Sequence, residues 1–106
     1  YALKISDYNH ILTLETFLQG KILVQDVSSM LVAEAASPKK GDHIIDMCAA
    51  PGGKSIHAAD KMGDYGNVDA RDVSQYKADL IKENIHRTGV INVEARVRIP
   101  NRLRIL

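Results

Sequence analysis

The sequence predicts an α/β domain in which three parallel strands alternate with helices. Strand patterns occur at 43–47, 67–71 and 90–97, separated by helix patterns at 54–62 and 74–88. A glycine-rich loop joins the first strand to the helix that follows it. Strands that alternate with helices pair in parallel through right-handed crossovers, and ligands bind beyond the carboxyl ends of such strands. A ligand site is therefore expected at that edge of the sheet.

Length and composition allow one small folded domain. The 106 residues are 45% hydrophobic and 25% charged, which is typical of globular proteins, so disorder is not expected. We divide the chain into a lead-in segment (1–24) of extended or irregular structure, a ligand-binding part (25–97) and a basic tail (98–106). The net charge of +1 provides no overall attraction to nucleic acid. The last eleven residues carry four arginines and no acid, and could contact phosphates or remain solvated.

Several classes of protein are disfavoured by the composition. The single cysteine, Cys48, rules out an internal disulfide and a cysteine-based metal site. The four histidines show no ligand spacing, so no metal is expected. The sequence has neither a long apolar run nor a signal-peptide pattern, so we expect no membrane segment and a cytoplasmic location.

Helix patterns flank the predicted ligand edge. Asp26 or Ser28 is placed to cap the first helix, because a short side-chain oxygen can accept from free backbone N–H groups. One face of that helix carries Val27, Met30, Leu31 and Ala35. The helix at 74–88 presents on one face Tyr76, Leu80, Ile81, Asn84 and Ile85. Gly89 ends this helix, because glycine can take the left-handed conformation there. The strand at 43–47 is expected to be buried.

The loop and a downstream acid together predict a nucleotide site. Gly52 and Gly53 permit positive φ and close approach of a ligand, and Pro51 stiffens the loop. The helix beginning near Lys54 offers free N–H groups and a positive dipole end, which favour a carboxylate or phosphate. Asp72 ends the second strand 19 residues beyond Gly53, where an acid accepts hydrogen bonds from ribose hydroxyls.

Four interpretations of the loop remain open on these residues alone. A P-loop fits at Gly53-Lys54-Ser55, but Cys48 stands where its first glycine belongs. The dinucleotide pattern Gly-x-Gly-x-x-Gly is not met. The glycines could instead make only a tight strand-to-helix turn. S-adenosylmethionine, a nucleoside with a zwitterionic tail, is the fourth interpretation.

Other residues near the loop have two interpretations each. Asp46 could orient a cofactor amino group through the loop or cap the strand end. Lys54 could hold a carboxylate or phosphate or point to solvent. Gln25 and Asp26 could lie against the pocket or only begin a helix. Candidate RNA contacts, or ordinary surface charges, are Lys39, Lys40 and Arg71.

A longer string carries a resemblance to a known family. Residues 46–55, which read Asp-Met-Cys-Ala-Ala-Pro-Gly-Gly-Lys-Ser, resemble the first cofactor motif of the RNA cytosine-5 methyltransferases. Residues 20–31 are similar to the preceding family motif, and residues 70–74 and 82–89 are similar to the following ones. The resemblance covers about residues 17–97 and is greatest to the bacterial branch that acts on 16S ribosomal RNA.

The resemblance implies the N-terminal part of a Rossmann-like S-adenosylmethionine-dependent methyltransferase fold. It implies that Asp72 binds the cofactor ribose and that ribosomal RNA is the partner. It further implies that the methionine part is bound by Cys48, Ala49, Ala50, Pro51, Gly52, Gly53 and Lys54. In the reaction that it implies, a cysteine thiolate attacks cytosine C6, C5 takes the methyl group, and a base removes the C5 proton.

The resemblance also implies that the nucleophile lies elsewhere. The family's functional cysteines stand in Pro-Cys and Thr-Cys motifs on later strands, whereas Cys48 stands in the cofactor loop. The family acid expected near the adenine has no counterpart in residues 97–106. We therefore expect no catalytic residue here and no activity from this chain alone; a non-catalytic nucleotide-binding or RNA-binding module is the alternative. An unpaired edge of the last strand would favour self-association.

Overall fold

The computed structural model describes residues 2–6, 10–63 and 65–98. In the lead-in segment a 3-10 turn at Ile11–Thr13 precedes the one-turn helix α1 (Glu15–Leu18). The rest of the described chain contains, in order, α2 (Val27–Ala36), β1 (His43–Asp46), α3 (Gly53–Met62), β2 (Asn67–Asp72), α4 (Gln75–Thr88) and β3 (Val93–Val97). The expectation of extended or irregular structure was therefore wrong for residues 11–18.

The three strands form one parallel sheet with the order β1-β2-β3. Ile44 lies beside Val68, and Val68 lies beside Val93, so β2 is the central strand. The predicted α/β fold with parallel strands is confirmed. The carboxyl ends of β1 and β2 meet at one edge of the sheet, which is where the loop leaves β1.

Helices α3 and α4 pack on the same face of the sheet. Their side chains join those of the strands in one core cluster, in which Met62, Ile81 and Val68 are fully buried. Ala70 at the centre of β2 is also fully buried. Because helices cover only this face, the opposite face of the sheet is less protected by the described residues.

The strand β1 was predicted to be buried, and this was wrong. His43 is exposed, and Ile45 is 51% exposed. Among the described residues β1 is an edge strand, and Ile45 points to the face that α3 and α4 do not cover. The apolar pattern of β1 therefore could not distinguish an edge position from a buried one.

Helix α2 begins as predicted, but its apolar face lies largely in solvent. The Asp26 carboxylate caps the helix by accepting from the Ser29 N–H at 2.8 Å. Val27 is 72% exposed and Leu31 58% exposed, whereas Ala33 is the buried residue of α2. Helix α2 packs against α3, and Lys61 of α3 bonds Glu34 at 2.9 Å.

Helix α4 also begins and ends at the predicted residues. The Ser74 hydroxyl accepts from the Lys77 N–H at 3.2 Å, and Gly89 ends the helix with φ of +71°. Ile81 is buried, but Tyr76, which shares its predicted face, is 72% exposed because it lies in the first turn.

One of the four arginines near the C-terminus is held by ion pairs. Arg96, at the end of β3, pairs with Asp69 at 3.0 Å and with Glu94 at 2.8 Å. Residues 99–106, which include Arg102 and Arg104, lie outside the described residues. Self-association through an unpaired strand edge stays a prediction. Within the described ranges, no helix has the length and apolarity needed to cross a bilayer.

Truncating Ile81 should destabilise the fold, because its side chain fills the space between α4 and the sheet. We expect Ile81→Ala to lower the free energy of unfolding by about 2–5 kcal/mol, the range for removal of a large buried aliphatic side chain. The matched control is Ile91→Ala, since Ile91 is 76% exposed. Urea denaturation measures both, and equal losses of stability in the two variants would contradict this packing.

Candidate cofactor-binding site

The loop between β1 and α3 is tied to the ends of both neighbouring strands. The Ala50 N–H donates to the Asp72 carboxylate at 2.9 Å, and the Ala49 N–H donates to the Arg71 carbonyl at 2.9 Å. The Cys48 N–H donates to the Asp46 carboxylate at 3.2 Å. The prediction that the loop and Asp72 meet at the ligand edge of the sheet is confirmed.

Gly52 has the left-handed conformation that the sequence predicted, with φ of +112°. A Cβ on Gly52 would lie 3.4 Å from the Ile81 side chain, so this glycine also lets the loop pack closely on α4. Gly53 already belongs to α3, and a Cβ there would face the Gln25 side chain at 3.5 Å. Both glycines therefore lie against protein side chains. These contacts do not support the expected close approach of a ligand.

The first turn of α3 is free of side-chain capping. Its N-cap residue, Gly52, has no side chain to accept from the backbone N–H groups of that turn. Such a helix end carries a partial positive charge and unsatisfied donors, which suit a carboxylate or phosphate. Because α3 follows the loop directly, these donors lie near the same edge of the sheet as Asp72.

Asp46 serves the structure of the loop. One of its carboxylate oxygens accepts from the Cys48 N–H, and the other accepts from the Ser55 hydroxyl at 2.7 Å. Ser55 is 1% exposed, so this bond joins the end of β1 to the first turn of α3 below the surface. These contacts are those of the strand-end cap that one of the two interpretations of Asp46 expected.

The Asp72 carboxylate is held as an anion. Backbone N–H groups of Val73 and Ala50 donate to it, and these bonds hold its pKa below the usual range for aspartate. The Lys77 ammonium, 4.0 Å away, and Arg98 lower the pKa further. Asp72 is only 5% exposed. Each carboxylate oxygen has more than one lone pair, so acceptor capacity remains beside the two backbone bonds.

The remaining predicted site residues differ in their exposure. Cys48, Pro51 and Lys54 are exposed, whereas Ala49 is buried and Ala50 is half-buried. Lys54 also faces the start of α2. The pKa of Asp26 is lowered first by hydrogen bonds from Ser29 and then by weaker influences that include the Lys54 charge.

One contact to the loop was missed from the sequence. The Asn84 side-chain amide donates to the Pro51 carbonyl at 2.8 Å, although Asn84 had been placed on an apolar face of α4. A polar residue within an otherwise apolar face was the signal that could have identified it, because buried amides need hydrogen-bond partners.

A wide groove lies away from the loop. It encloses about 810 Å³ between the lead-in segment, α2 and α3, and residues 48–52 do not line it. A smaller cavity of about 210 Å³ adjoins Pro51 and Gly53. Because the N–H groups of α3 and the acceptor Asp72 lie at the loop, the loop remains the candidate site although the groove is larger. Within the described residues, no group of three or more His, Cys, Asp or Glu side chains could hold a metal ion.

The fold and the site define a class of protein. A parallel α/β sheet with a glycine loop after β1 and an acid ending β2 is the arrangement of Rossmann-like nucleotide-binding domains. Residues 33–99, more than half of the chain, match the family described as 16S rRNA methyltransferase RsmB/F. The chain belongs to this family.

Curated relatives agree with this membership. A probable ribosomal RNA small subunit methyltransferase B of Bacillus subtilis is 46% identical over 79 residues, which are 74% of this chain and 18% of that protein. The rRNA (cytosine-C(5))-methyltransferase NOP2C of Arabidopsis thaliana is 42% identical over 83 residues, covering 74% of this chain and 14% of that protein. The chain thus spans less than a fifth of the length of these two relatives.

Solved structures confirm the fold. The crystal structure of NSun6 from Pyrococcus horikoshii, determined with SFG, has a TM-score of 0.83 and 36% identity, covering 91% of this chain and 25% of that one. A SAM-dependent O-methyltransferase from Thermotoga maritima has a TM-score of 0.67 and 26% identity, covering 83% and 34%. The predicted N-terminal part of a Rossmann-like methyltransferase fold is therefore confirmed.

Acid should remove the contribution of Asp72 to stability. Because its pKa is lowered in the folded state, this contribution is present above the ordinary aspartate pKa of about 3.9 and is lost as the pH falls through the lower folded value. We expect Asp72→Asn to be less stable than the parent near neutral pH. The two proteins should converge in acid.

Urea denaturation from about pH 6 to about pH 2 measures this convergence, because the contribution is lost between the unfolded pKa of about 3.9 and the lower folded value. The control is Asp79→Asn on the exposed side of α4, which should follow the parent throughout. A stability gap between Asp72→Asn and the parent that is independent of pH would argue against an ionised Asp72 holding the loop.

Proposed function

We propose that this chain forms the S-adenosylmethionine-binding part of an enzyme that methylates C5 of cytosine in ribosomal RNA. The observation that carries the proposal is the convergence of three features at one edge of the sheet: the loop 48–54, the N-terminus of α3 and Asp72. The bond from the Ala50 N–H to the Asp72 carboxylate holds them together. Family membership and two relatives named for rRNA methylation, one of them at cytosine C5, support this choice over a P-loop or a dinucleotide site.

The donors and acceptors present fit this cofactor. The methionine end carries a carboxylate, which suits the N–H groups at the start of α3. The ribose carries hydroxyl groups, which suit the spare acceptor capacity of Asp72. In this proposal the loop residues Cys48, Ala49, Ala50, Pro51, Gly52, Gly53 and Lys54 surround the methionine end.

The chain's own residues bind and orient the cofactor in this proposal. When bound, the cofactor supplies an activated methyl group. Attack on cytosine C6 requires a thiolate, and we do not assign that role to Cys48. Its N–H is held by Asp46 at the entry to the binding loop, a position that serves the cofactor. We therefore assign the nucleophile to none of these 106 residues.

Ribosomal RNA is the proposed substrate because two relatives are named for rRNA methylation. A cytoplasmic location is part of the same proposal. The surface charges contribute less to the argument. Arg71 is engaged with Asp69 at 2.6 Å, and Lys40 lies over the Tyr65 ring at 5.1 Å. Lys39 is exposed. Of the candidate RNA contacts, the two lysines remain better placed than Arg71.

Cofactor binding should depend on Asp72. We expect calorimetric titration with S-adenosylhomocysteine to show binding by the parent chain and binding about tenfold weaker or more in Asp72→Ala, because hydrogen bonds to a charged acceptor are lost. Gly53→Val should also weaken binding, since it adds a branched side chain at the first turn of α3. The control is Asp79→Ala, on the exposed side of α4. No heat from the parent, or equal binding by Asp72→Ala, would refute the proposed site.

Methyl transfer should not follow from cofactor binding by this chain alone. We expect no label to enter ribosomal RNA from cofactor labelled in its methyl group, because the reaction needs a nucleophile that we do not find among these residues. Scintillation counting of purified RNA measures the transfer. Label on cytosine C5 would show that the chain carries a nucleophile, and Cys48 would then have to be reassigned.

A further inference from the structure

Arg87, near the end of α4, is bound by neutral groups. Its guanidinium donates to the Phe17 carbonyl at 2.8 Å and to the Ile22 carbonyl at 3.1 Å. It also stacks on the Phe17 ring at 3.8 Å. In the part of the chain that the structure describes, no carboxylate lies within ion-pair distance of Arg87. Two of its hydrogen bonds therefore hold the backbone of the lead-in segment.

The segment that Arg87 holds is a tight turn, which we name the lead-in turn (residues 17–22). Gly20 within it has φ of +75°, and a Cβ there would lie too close to the Arg87 carbonyl oxygen. The turn thus lies directly on the backbone at the end of α4. Its position depends both on the small size of Gly20 and on the two bonds from the guanidinium.

The same guanidinium connects the lead-in turn to the candidate cofactor loop. Arg87 donates to the Asn84 side-chain carbonyl at 3.0 Å, which leaves the Asn84 NH2 group directed at the Pro51 carbonyl, 2.8 Å away. Asn84 and Arg87 lie three residues apart on α4, so both project from one side of the helix. A continuous series of hydrogen bonds therefore runs from Phe17 and Ile22 through Arg87 and Asn84 to Pro51.

We infer that Asn84 and Arg87 are positioning residues, which transmit docking of the lead-in turn to the cofactor loop and hold that loop ready to bind. Asn84 holds Pro51 from the side of α4, while Asp72 holds Ala50 from the side of β2. The loop is thereby fixed at two successive residues before α3 begins. That this serves cofactor binding rests on the function proposed above.

The burial of Arg87 is consistent with a fixed arrangement. Desolvation lowers the pKa of its guanidinium, which nevertheless remains protonated because arginine titrates far above neutral pH. Arg87 is half-buried and regains only part of its hydration when a protein hydrogen bond breaks, so movement of the lead-in turn away from it costs free energy. The series of bonds is therefore expected to form or break as a unit.

The most informative variant is Asn84→Asp. A carboxylate at position 84 still accepts from Arg87, but it cannot donate to the Pro51 carbonyl. We expect S-adenosylhomocysteine to bind about three- to tenfold more weakly, the effect of one net hydrogen bond. The matched control is Glu83→Gln, an exposed exchange of the same acid and amide groups on α4, which should bind like the parent.

A second measurement needs no cofactor. Amide hydrogen exchange in the 106-residue chain should be faster at Ala49 and Ala50 in Asn84→Asp, while exchange at Val68 in the central strand stays unchanged. Gly20→Ala changes the opposite end of the series, because its Cβ meets the Arg87 carbonyl. Gly20→Ala should also speed exchange at Ala49 and Ala50. If Gly20 mattered only for the lead-in turn itself, exchange at these two loop residues would stay unchanged.

The outcomes separate the two proposals. Unchanged loop exchange in both variants, or parental affinity in Asn84→Asp, would overturn the positioning role and leave the proposed function standing. If the parent binds no S-adenosylhomocysteine, the cofactor role fails. Faster loop exchange in Asn84→Asp and Gly20→Ala would still support coupling between the lead-in turn and the loop.

Discussion

The site depends on one hydrogen bond, from the Ala50 N–H to the Asp72 carboxylate. The loop follows β1 and Asp72 ends β2, so the bond exists only because the two strands lie in parallel and in register. It directs the carboxylate toward the loop and holds it ionised, together with the Val73 N–H. The parallel sheet thereby determines both the place and the charge of the candidate site.

The loop is fixed from three directions. Asp46 connects it to β1 and to Ser55 of α3, Asp72 connects it to β2, and Asn84 connects it to α4. Such pre-organisation matters for a binding site, because a loop already ordered loses less conformational entropy when a ligand binds. The lead-in turn extends this support through Arg87 to residues that precede the sheet.

The sequence predicted the element order, the parallel sheet and the meeting of the loop with Asp72, because these follow from local patterns and from the geometry of strand–helix–strand units. The helix starts at Asp26 and Ser74 and the helix end at Gly89 were also predictable, since each depends on its own residue type. The positive φ of Gly52 likewise follows from its residue type, because glycine permits that conformation.

Features that depend on tertiary packing were not predictable. The exposure of Ile45 reflects which face of the sheet α3 and α4 cover. The polar Asn84 on an apolar face indicated that it needs a partner, but not that the partner is Pro51, 33 positions away. Gly52 illustrates the same limit. Its residue type indicated a loop, but its packing against Ile81 could be found only from the folded arrangement.

The central claim is that the cofactor lies at the loop 48–54 and Asp72, and not in the larger groove beside α2. The most direct test is two-dimensional NMR of the isotope-labelled chain during titration with S-adenosylhomocysteine. If the cofactor binds at the loop, we expect shifts in the amide signals of Ala50, Gly52, Gly53 and Val73, with little change at Met30 and Ile91 in the groove. Shifts confined to the groove residues would contradict it.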